Sequence, residues 1–223
     1  MTKSRLVLVI SVALTFALAS DAVSAQTTRA SGWGWPVIPG CLADPEIKTN
    51  GATDYNAPIC SVYERLLRSG VMDVELISAR RLNADMDGVL YPAFLPGTEV
   101  VRFIVTGKFN HSFRGADRLV RVSTKAASAR SGSWWTTLAT VSEDGHVFNA
   151  ERIRAKLALT DTPLCIAYAE KVRTGVRAYL GVVAPAFDEP GGGVEFWFPP
   201  NAVATASVGD VPGTSGCDNE PKH

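Results

Sequence analysis

Residues 181–198 read Gly-Val-Val-Ala-Pro-Ala-Phe-Asp-Glu-Pro-Gly-Gly-Gly-Val-Glu-Phe-Trp-Phe, two apolar runs separated by a turn rich in proline and glycine. Val, Phe and Trp favour a pleated, partly buried surface, so residues 194–198 are expected to form a strand. Three glycines precede it, and glycine is favoured where a turn is strained or where a ligand approaches the backbone. Glu195 interrupts the apolar strand. Its carboxyl either points to water from an edge strand, because side chains alternate between faces, or has an environment that shifts its pKa and gives it a function.

The sequence on either side of this stretch predicts more strands than helices. Ser61 begins a short amphipathic helix that Gly70 ends, residues 71–107 favour short strands, and Asn149 can cap a helix that continues to about Leu159. A small-residue loop is expected at 124–130. Four further strands are predicted: 119–123, 131–137, 165–168 and 176–183. Strands with few helices among them are typical of an α+β fold with mostly antiparallel sheets.

Residues 1–25 are organised as a secretory signal peptide. Lys3 and Arg5 are followed by an apolar run, Leu6 to Leu18, and by the small residues Val23-Ser24-Ala25. The apolar run is too short to span a bilayer, and no later segment is apolar enough to do so. We therefore expect a secreted or periplasmic protein without a membrane span in its mature chain.

The cysteines also favour an oxidising compartment. Four of them in an exported chain suggest two disulfides, for which three pairings are possible. Proximity in the sequence favours Cys41–Cys60 and Cys165–Cys217. Their spacing lacks the closely paired ligands of a zinc site, so no metal is expected.

Composition divides the mature chain into three parts. Residues 26–110 are expected to form a loop-rich N-terminal region with one disulfide, residues 111–200 a folded domain, and residues 201–223 a flexible tail. The chain has 22 Lys and Arg against 22 Asp and Glu, without a basic block. Nucleic acid is therefore not expected as a general partner.

Four segments occur in an order that resembles a known superfamily. They are Val120-Arg121-Val122, Gly132-Ser133-Trp134-Trp135-Thr136, Ala155-Lys-Leu-Ala-Leu159 and the opening stretch up to Glu195. This series resembles ADP-ribosyltransferase-like domains, most closely those of bacterial polymorphic toxins and the necrotizing-toxin type of NAD glycohydrolases. It covers about residues 118–200. The resemblance implies a split β-sandwich, NAD as the substrate, and a target protein or an immunity protein as a partner.

The resemblance also implies catalytic roles for Glu195, Arg121 and Ser133. Cleavage of the nicotinamide–ribose bond passes through an oxocarbenium-like transition state, which the carboxylate of Glu195 would stabilise. Arg121 offers a planar, bidentate fork for the pyrophosphate of the dinucleotide. Ser133, together with Trp134 or Trp135, would form the nicotinamide pocket, because a hydroxyl can bind an amide while a ring stacks on it.

The glycines of the turn complete the implied site. Gly192 and Gly193 would let the backbone approach NAD. Gly193 also stands where arginine-modifying transferases carry Gln or Glu, so the acceptor of any ADP-ribose stays open. Asp188 and Glu189 would repel a pyrophosphate if they faced the pocket, and would be harmless if they faced water.

Ordinary structural roles explain the same residues without a site. Arg121 can pair with a surface acid, and Ser133 can be a plain strand residue. If the strand is regular, Trp134 and Trp135 face opposite ways, so only one ring is available to a ligand. The chain lacks the Gly-x-Ser-x-Gly elbow of a serine hydrolase. The alternative function is therefore a non-catalytic, disulfide-stabilised exported binding protein.

Overall fold

The structure is a computed structural model that describes residues 57–86, 94–143 and 147–217. The expected signal peptide and Cys41 lie outside these ranges. In the part that is described, an eight-stranded sheet has the order β1-β2-β8-β9-β4-β3-β7-β10, and neighbouring strands are antiparallel. The strands are β1 (Met72–Ser78), β2 (Glu99–Ile104), β3 (Leu119–Ser123), β4 (Trp134–Thr137), β7 (Cys165–Val172), β8 (Arg177–Val182), β9 (Val194–Trp197) and β10 (Val203–Asp210), with β5 (Ser142–Glu143) and β6 (Val147–Phe148) as a separate pair.

Short helices connect these strands. They are α1 (Ala57–Arg68), α2 (Ala79–Asp85), α3 (Phe109–Ser112), α4 (Ala126–Arg130), α5 (Leu138–Val141) and α6 (Ala150–Leu157), with a 3-10 turn at Gly115–Asp117. The α+β class with mostly antiparallel strands and few helices is confirmed. In the ranges given above, no helix is both long enough and apolar enough to cross a membrane.

The sheet divides at strand β4. The C-terminal half of β4 pairs with β3, through Leu119 opposite Thr137 and Val120 opposite Thr136. Its N-terminal half pairs instead with β9, through Trp134 opposite Trp197 and Trp135 opposite Phe196. Beyond Val120 the backbone of β3 therefore separates from that of β4, and a side chain on β3 has room between the two strands.

The largest core cluster covers one face of the sheet. Helix α1 contributes Leu66 and helix α3 contributes Phe109, which pack with Phe103, Trp135 and Phe196 of the strands. The rings of Phe109 and Phe196 meet edge to face, with centroids 6.4 Å apart. Because this core joins α1 to strands from both halves of the sequence, the expected boundary at residue 110 is wrong. Strands β1 and β2 belong to the same sheet as β8.

The expected flexible tail is wrong for residues 203–217. Strand β10 pairs with β7 from Val203 opposite Val172 to Asp210 opposite Cys165. The expected Cys165–Cys217 disulfide is present, with Cα atoms 4.9 Å apart, and both cysteines are buried. Cys60 is also disulfide-bonded. The rest of the tail, from residue 218, lies outside the described ranges.

Local predictions from the sequence have mixed outcomes. The side chain of Asn149 caps α6 by accepting a hydrogen bond of 2.9 Å from the amide of Arg152, as predicted. Helix α1 begins at Ala57, earlier than the predicted Ser61, and ends before Gly70, whose φ is +65°. Helix α4 lies inside the stretch expected to be a loop, and helix α2 was not predicted.

Candidate functional site

Strand β9 places Glu195 on the face of the sheet opposite to the largest core. Val194 and Phe196 point into that core and are buried. Glu195 and Trp197 alternate with them, so their side chains lie on the other face, where both are half-buried. Gly181 of β8 is the cross-strand neighbour of Glu195. The ring of Phe94 fills the place that a side chain on Gly181 would take, since a Cβ there would stand 2.5 Å from Cδ1 of Phe94.

Aromatic rings cover the sheet around this position. Trp134 and Trp197 are cross-strand neighbours in β4 and β9, and both belong to a small cluster with Phe94. The rings of Phe94 and Trp134 meet edge to face at 5.3 Å. Asn83 holds Phe94 in place, because its side-chain amide bonds the backbone carbonyl of Phe94 at 2.6 Å and accepts from its backbone N–H at 3.1 Å. This cluster gives the Glu195 face an apolar surface that is partly open to solvent.

Arg121 occupies the gap that opens between β3 and β4. Its Nε donates a hydrogen bond of 2.9 Å to the carbonyl of Ser128, and its Nη1 donates one of 2.8 Å to the carbonyl of Trp134. Gly132 lies against the guanidinium, since a Cβ on it would stand 2.5 Å from Nη2 of Arg121. Gly132 also has a φ of +125°, which a side chain would strain. The guanidinium is thus held by backbone carbonyls, and Nη2 makes no hydrogen bond to the described residues.

The charges of Arg121 and Glu195 influence each other. Burial lowers the pKa of the Arg121 guanidinium, and the nearby carboxylate of Glu195 opposes that shift. For Glu195, the packed protein atoms around the side chain raise its pKa well above the usual range, and Arg121 opposes this in turn. Burial is the larger effect for both groups. The structure therefore contains a half-buried arginine and a half-buried carboxyl that interact electrostatically, and perturbed pKa values of this kind cluster at functional sites.

Ser133 and Trp135 do not join this pair. The backbone carbonyl of Ser133 accepts a hydrogen bond of 2.8 Å from the amide of Phe198, which places Ser133 beside the end of β9 and not beside Glu195. Trp135 is 2% exposed, and its indole N–H donates to the carbonyl of Gly132 at 3.1 Å. Of the two tryptophans, Trp134 is therefore the one whose ring a ligand can reach.

The backbone N–H groups of the three glycines in the turn are already hydrogen-bonded to protein carbonyls. The amide of Gly191 donates to the carbonyl of Ala155, that of Gly192 to Val183, and that of Gly193 to Lys156, at 2.9–3.0 Å. A Cβ on Gly193 would stand 2.8 Å from the carbonyl oxygen of Lys156. Gly192 and Gly193 were expected to let the backbone approach NAD; in the structure their amides donate to Val183, just after β8, and to Lys156 of helix α6.

The acidic turn before the glycines packs against helix α6. Glu189 forms an ion pair of 2.6 Å with Arg154 of helix α6 and is largely buried by it, whereas Asp188 is exposed. Phe187 and Asp188 form the tip of this turn with φ values of +53° and +63°. Arg154 was missed at the sequence level, because nothing in the order of residues shows that α6 packs beside this turn.

In the described ranges no cluster of three or more His, Cys, Asp or Glu side chains is arranged to hold a metal ion. No protein-family model, curated protein or solved structure matches this chain.

Proposed function

We propose that the chain is an exported NAD-cleaving domain of the ADP-ribosyltransferase type. The observation that carries the proposal is the electrostatic interaction between Arg121 and Glu195, which stand on β3 and β9, the two neighbours of β4. Both side chains are half-buried, and each influences the pKa of the other. The sequence resemblance assigns these two residues to NAD, and their mutual influence supports a shared site.

Glu195 supplies the group that the chemistry needs most. The nicotinamide–ribose bond breaks with positive charge developing on the ribose, and a fixed carboxylate stabilises that charge. Burial raises the pKa of Glu195 and so favours its neutral form in the free protein. The cationic nicotinamide ring of NAD favours the ionised form on binding, so substrate and carboxylate stabilise each other.

Arg121 and Trp134 position the substrate in this proposal. Nη2 of Arg121 and the second hydrogen of its Nη1 remain for an anionic group of the dinucleotide, while the two backbone carbonyls fix the guanidinium plane. The half-buried ring of Trp134 offers a surface for the nicotinamide or ribose. Whether ADP-ribose passes to a protein or to water is set by the acceptor, because Gly193 provides no second acid.

The test incubates the chain without residues 1–25 with NAD and measures the released nicotinamide by chromatography. We expect release by the wild type and a loss of at least about 100-fold in Glu195→Gln, since one preorganised charge contributes on that scale. Glu64→Gln is the matched control, because Glu64 is exposed on α1 with a side chain 55% accessible. No release by the wild type, together with no labelling of lysate proteins, would overturn the proposal.

A second function is favoured by the hydrogen bonds of the same residues. Arg121 and the glycine amides bind backbone carbonyls, as they would in a non-catalytic exported binding protein held together by its disulfides. Thermal melting with NAD separates the two. NAD at about 100 times its dissociation constant stabilises a protein that binds it by roughly 2.7 kcal/mol. A melting shift without nicotinamide release identifies an NAD-binding protein. If there is no shift and no release, the protein binds a different ligand.

A further inference from the structure

A concavity with a volume of about 730 Å³ opens where the segment from Gly107 to Arg118 passes the end of strand β7. Its lining includes neither Arg121 nor Glu195. We call it the basic groove; its polar side chains are those of Asn110, His111, Arg114, Arg118, Glu170, Lys171 and Thr174. The volume is in the range of sites that bind small molecules.

Arg118 is fixed on one wall of the basic groove. Its Nε donates a hydrogen bond of 3.3 Å to the carbonyl of Ala169, and its guanidinium carbon lies 4.9 Å from the centre of the Tyr168 ring. These two contacts orient the guanidinium plane. They leave both Nη groups without a hydrogen bond to the described residues, so the outer edge of the fork is available to an anion.

Arg114 is held on a wall of the basic groove by its own segment. Its Nη2 lies 3.1 Å from Nδ1 of His111, and its Nε donates to the carbonyl of Asn110 at 3.4 Å. Arginine only donates, so Nδ1 of His111 is the acceptor in this contact. Asn110 in turn joins this wall to β7, since its side-chain amide makes hydrogen bonds of 2.7 and 3.0 Å with the backbone of Val172.

Charge in the basic groove is unbalanced. The ion pairs of the described ranges do not involve Arg114, Arg118 or Lys171. Asp117, the acid nearest to Arg118 in the sequence, is paired with Arg65 of helix α1. Glu170 is then the one carboxylate against three cations in the lining.

We propose that the basic groove binds a small molecule carrying two or more phosphate groups. Two guanidinium forks match phosphate oxygens in a bidentate manner, and the ammonium of Lys171 adds a third cation. A small ligand fits better than a nucleic-acid polymer, because the chain has 22 Lys and Arg against 22 Asp and Glu and its sequence has no basic block. The site does not depend on Glu195 and stands apart from the proposed cleavage of NAD.

The test is isothermal titration of the chain without residues 1–25 with inorganic tripolyphosphate. Binding is expected in the wild type, unchanged in Glu195→Gln, and weakened by about tenfold or more in the double variant Arg114→Gln/Lys171→Gln. Arg118 is left intact, because its contacts with Tyr168 and Ala169 also support the fold. The matched control is Arg68→Gln/Arg81→Gln, which removes two cations with side chains 81% exposed on α1 and α2.

Binding to vesicles distinguishes a lipid headgroup from a free phosphorylated molecule as the ligand. Cosedimentation with phosphatidylcholine vesicles that contain a phosphoinositide, lost in the same double variant, assigns the site to a lipid headgroup. Binding of tripolyphosphate alone assigns it to a free phosphorylated molecule. The proposal is overturned if neither probe binds at millimolar concentration, or if the folded double variant, checked by circular dichroism, binds as tightly as the wild type.

Discussion

The carboxyl of Glu195 is subject to two opposed influences. The atoms packed around it favour the neutral acid, and the guanidinium of Arg121 favours the carboxylate. Burial is the stronger, so the pKa is raised well above the usual range. The residue therefore destabilises the fold when it is ionised. Natural proteins retain such a destabilising group mainly where it has a function.

This balance predicts a pH-dependent stability. A folded-state pKa above the unfolded value of about 4.3 means that the folded chain binds the proton more tightly. The stability that Glu195 contributes is then fully present below that unfolded value and is lost as the pH rises through the raised pKa. Glu195→Gln cannot ionise, so its melting temperature is expected to exceed that of the wild type increasingly from pH 4 upward.

Calorimetry from pH 4 to pH 8 checks this expectation. A difference of 1 kcal/mol corresponds to roughly 2–4 °C in melting temperature for a chain of this size. Glu64→Gln shows how much of any difference comes from removing one exposed charge. A melting difference between Glu195→Gln and the wild type that stays constant over this range would contradict the assignment of a raised pKa.

At the scale of elements, helix α6 determines how strand β9 begins. Carbonyls of the last turns of α6 accept hydrogen bonds from Gly191 and Gly193, and Arg154 of the same helix pairs with Glu189. These contacts fix the turn on both sides of Pro190. The strand therefore starts at a defined residue, and its alternation places Glu195 on the face that carries Trp134.

Substitution of Gly193 tests this contact. In Gly193→Ala, a Cβ 2.8 Å from the carbonyl oxygen of Lys156 would force helix and strand apart. We expect a loss of about 1–3 kcal/mol in the free energy of unfolding, as for other overpacked sites. Nicotinamide release is also expected to fall, because the displacement moves Glu195.

Gly209→Ala is the matched control, because nothing lies within 4 Å of its added Cβ and its φ is not in the left-handed region. This control is expected to change the stability by no more than about 1 kcal/mol. Urea denaturation measures both variants. Equal midpoints for the two would show that α6 does not constrain the turn.

At the scale of the whole molecule, the sequence predicted elements better than their arrangement. Strand β3 has the predicted bounds and Asn149 caps its helix, because apolar alternation and a capping side chain are local signals. Strand β10 was missed, since its small residues, Val-Ala-Thr-Ala-Ser-Val-Gly-Asp, give weak alternation and it gains its partner only through β7. The electrostatic interaction of Arg121 with Glu195 depends on how β3, β4 and β9 are arranged in the sheet, which no local signal in the sequence shows.

The Cys165–Cys217 disulfide is expected to hold this late strand in the sheet. It closes a loop with a sequence separation of 52, from the first residue of β7 past the end of β10. In the chain-entropy account such a loop contributes about 4 kcal/mol, and measured values are commonly 2–4 kcal/mol. The double variant Cys165→Ala/Cys217→Ala is expected to lose stability on this scale, because the unfolded chain regains the freedom that the loop removed.

Hydrogen exchange locates the effect. Protection is expected to fall in β10 and in the amides of β7 that pair with it, while β8 and β9 keep theirs, because they lie on the other side of the division at β4. The remaining disulfide at Cys60 is untouched in this variant, so the wild type and the variant differ at one crosslink. An unchanged urea midpoint together with full protection of β10 would show that the hydrogen bonds to β7 hold the strand by themselves.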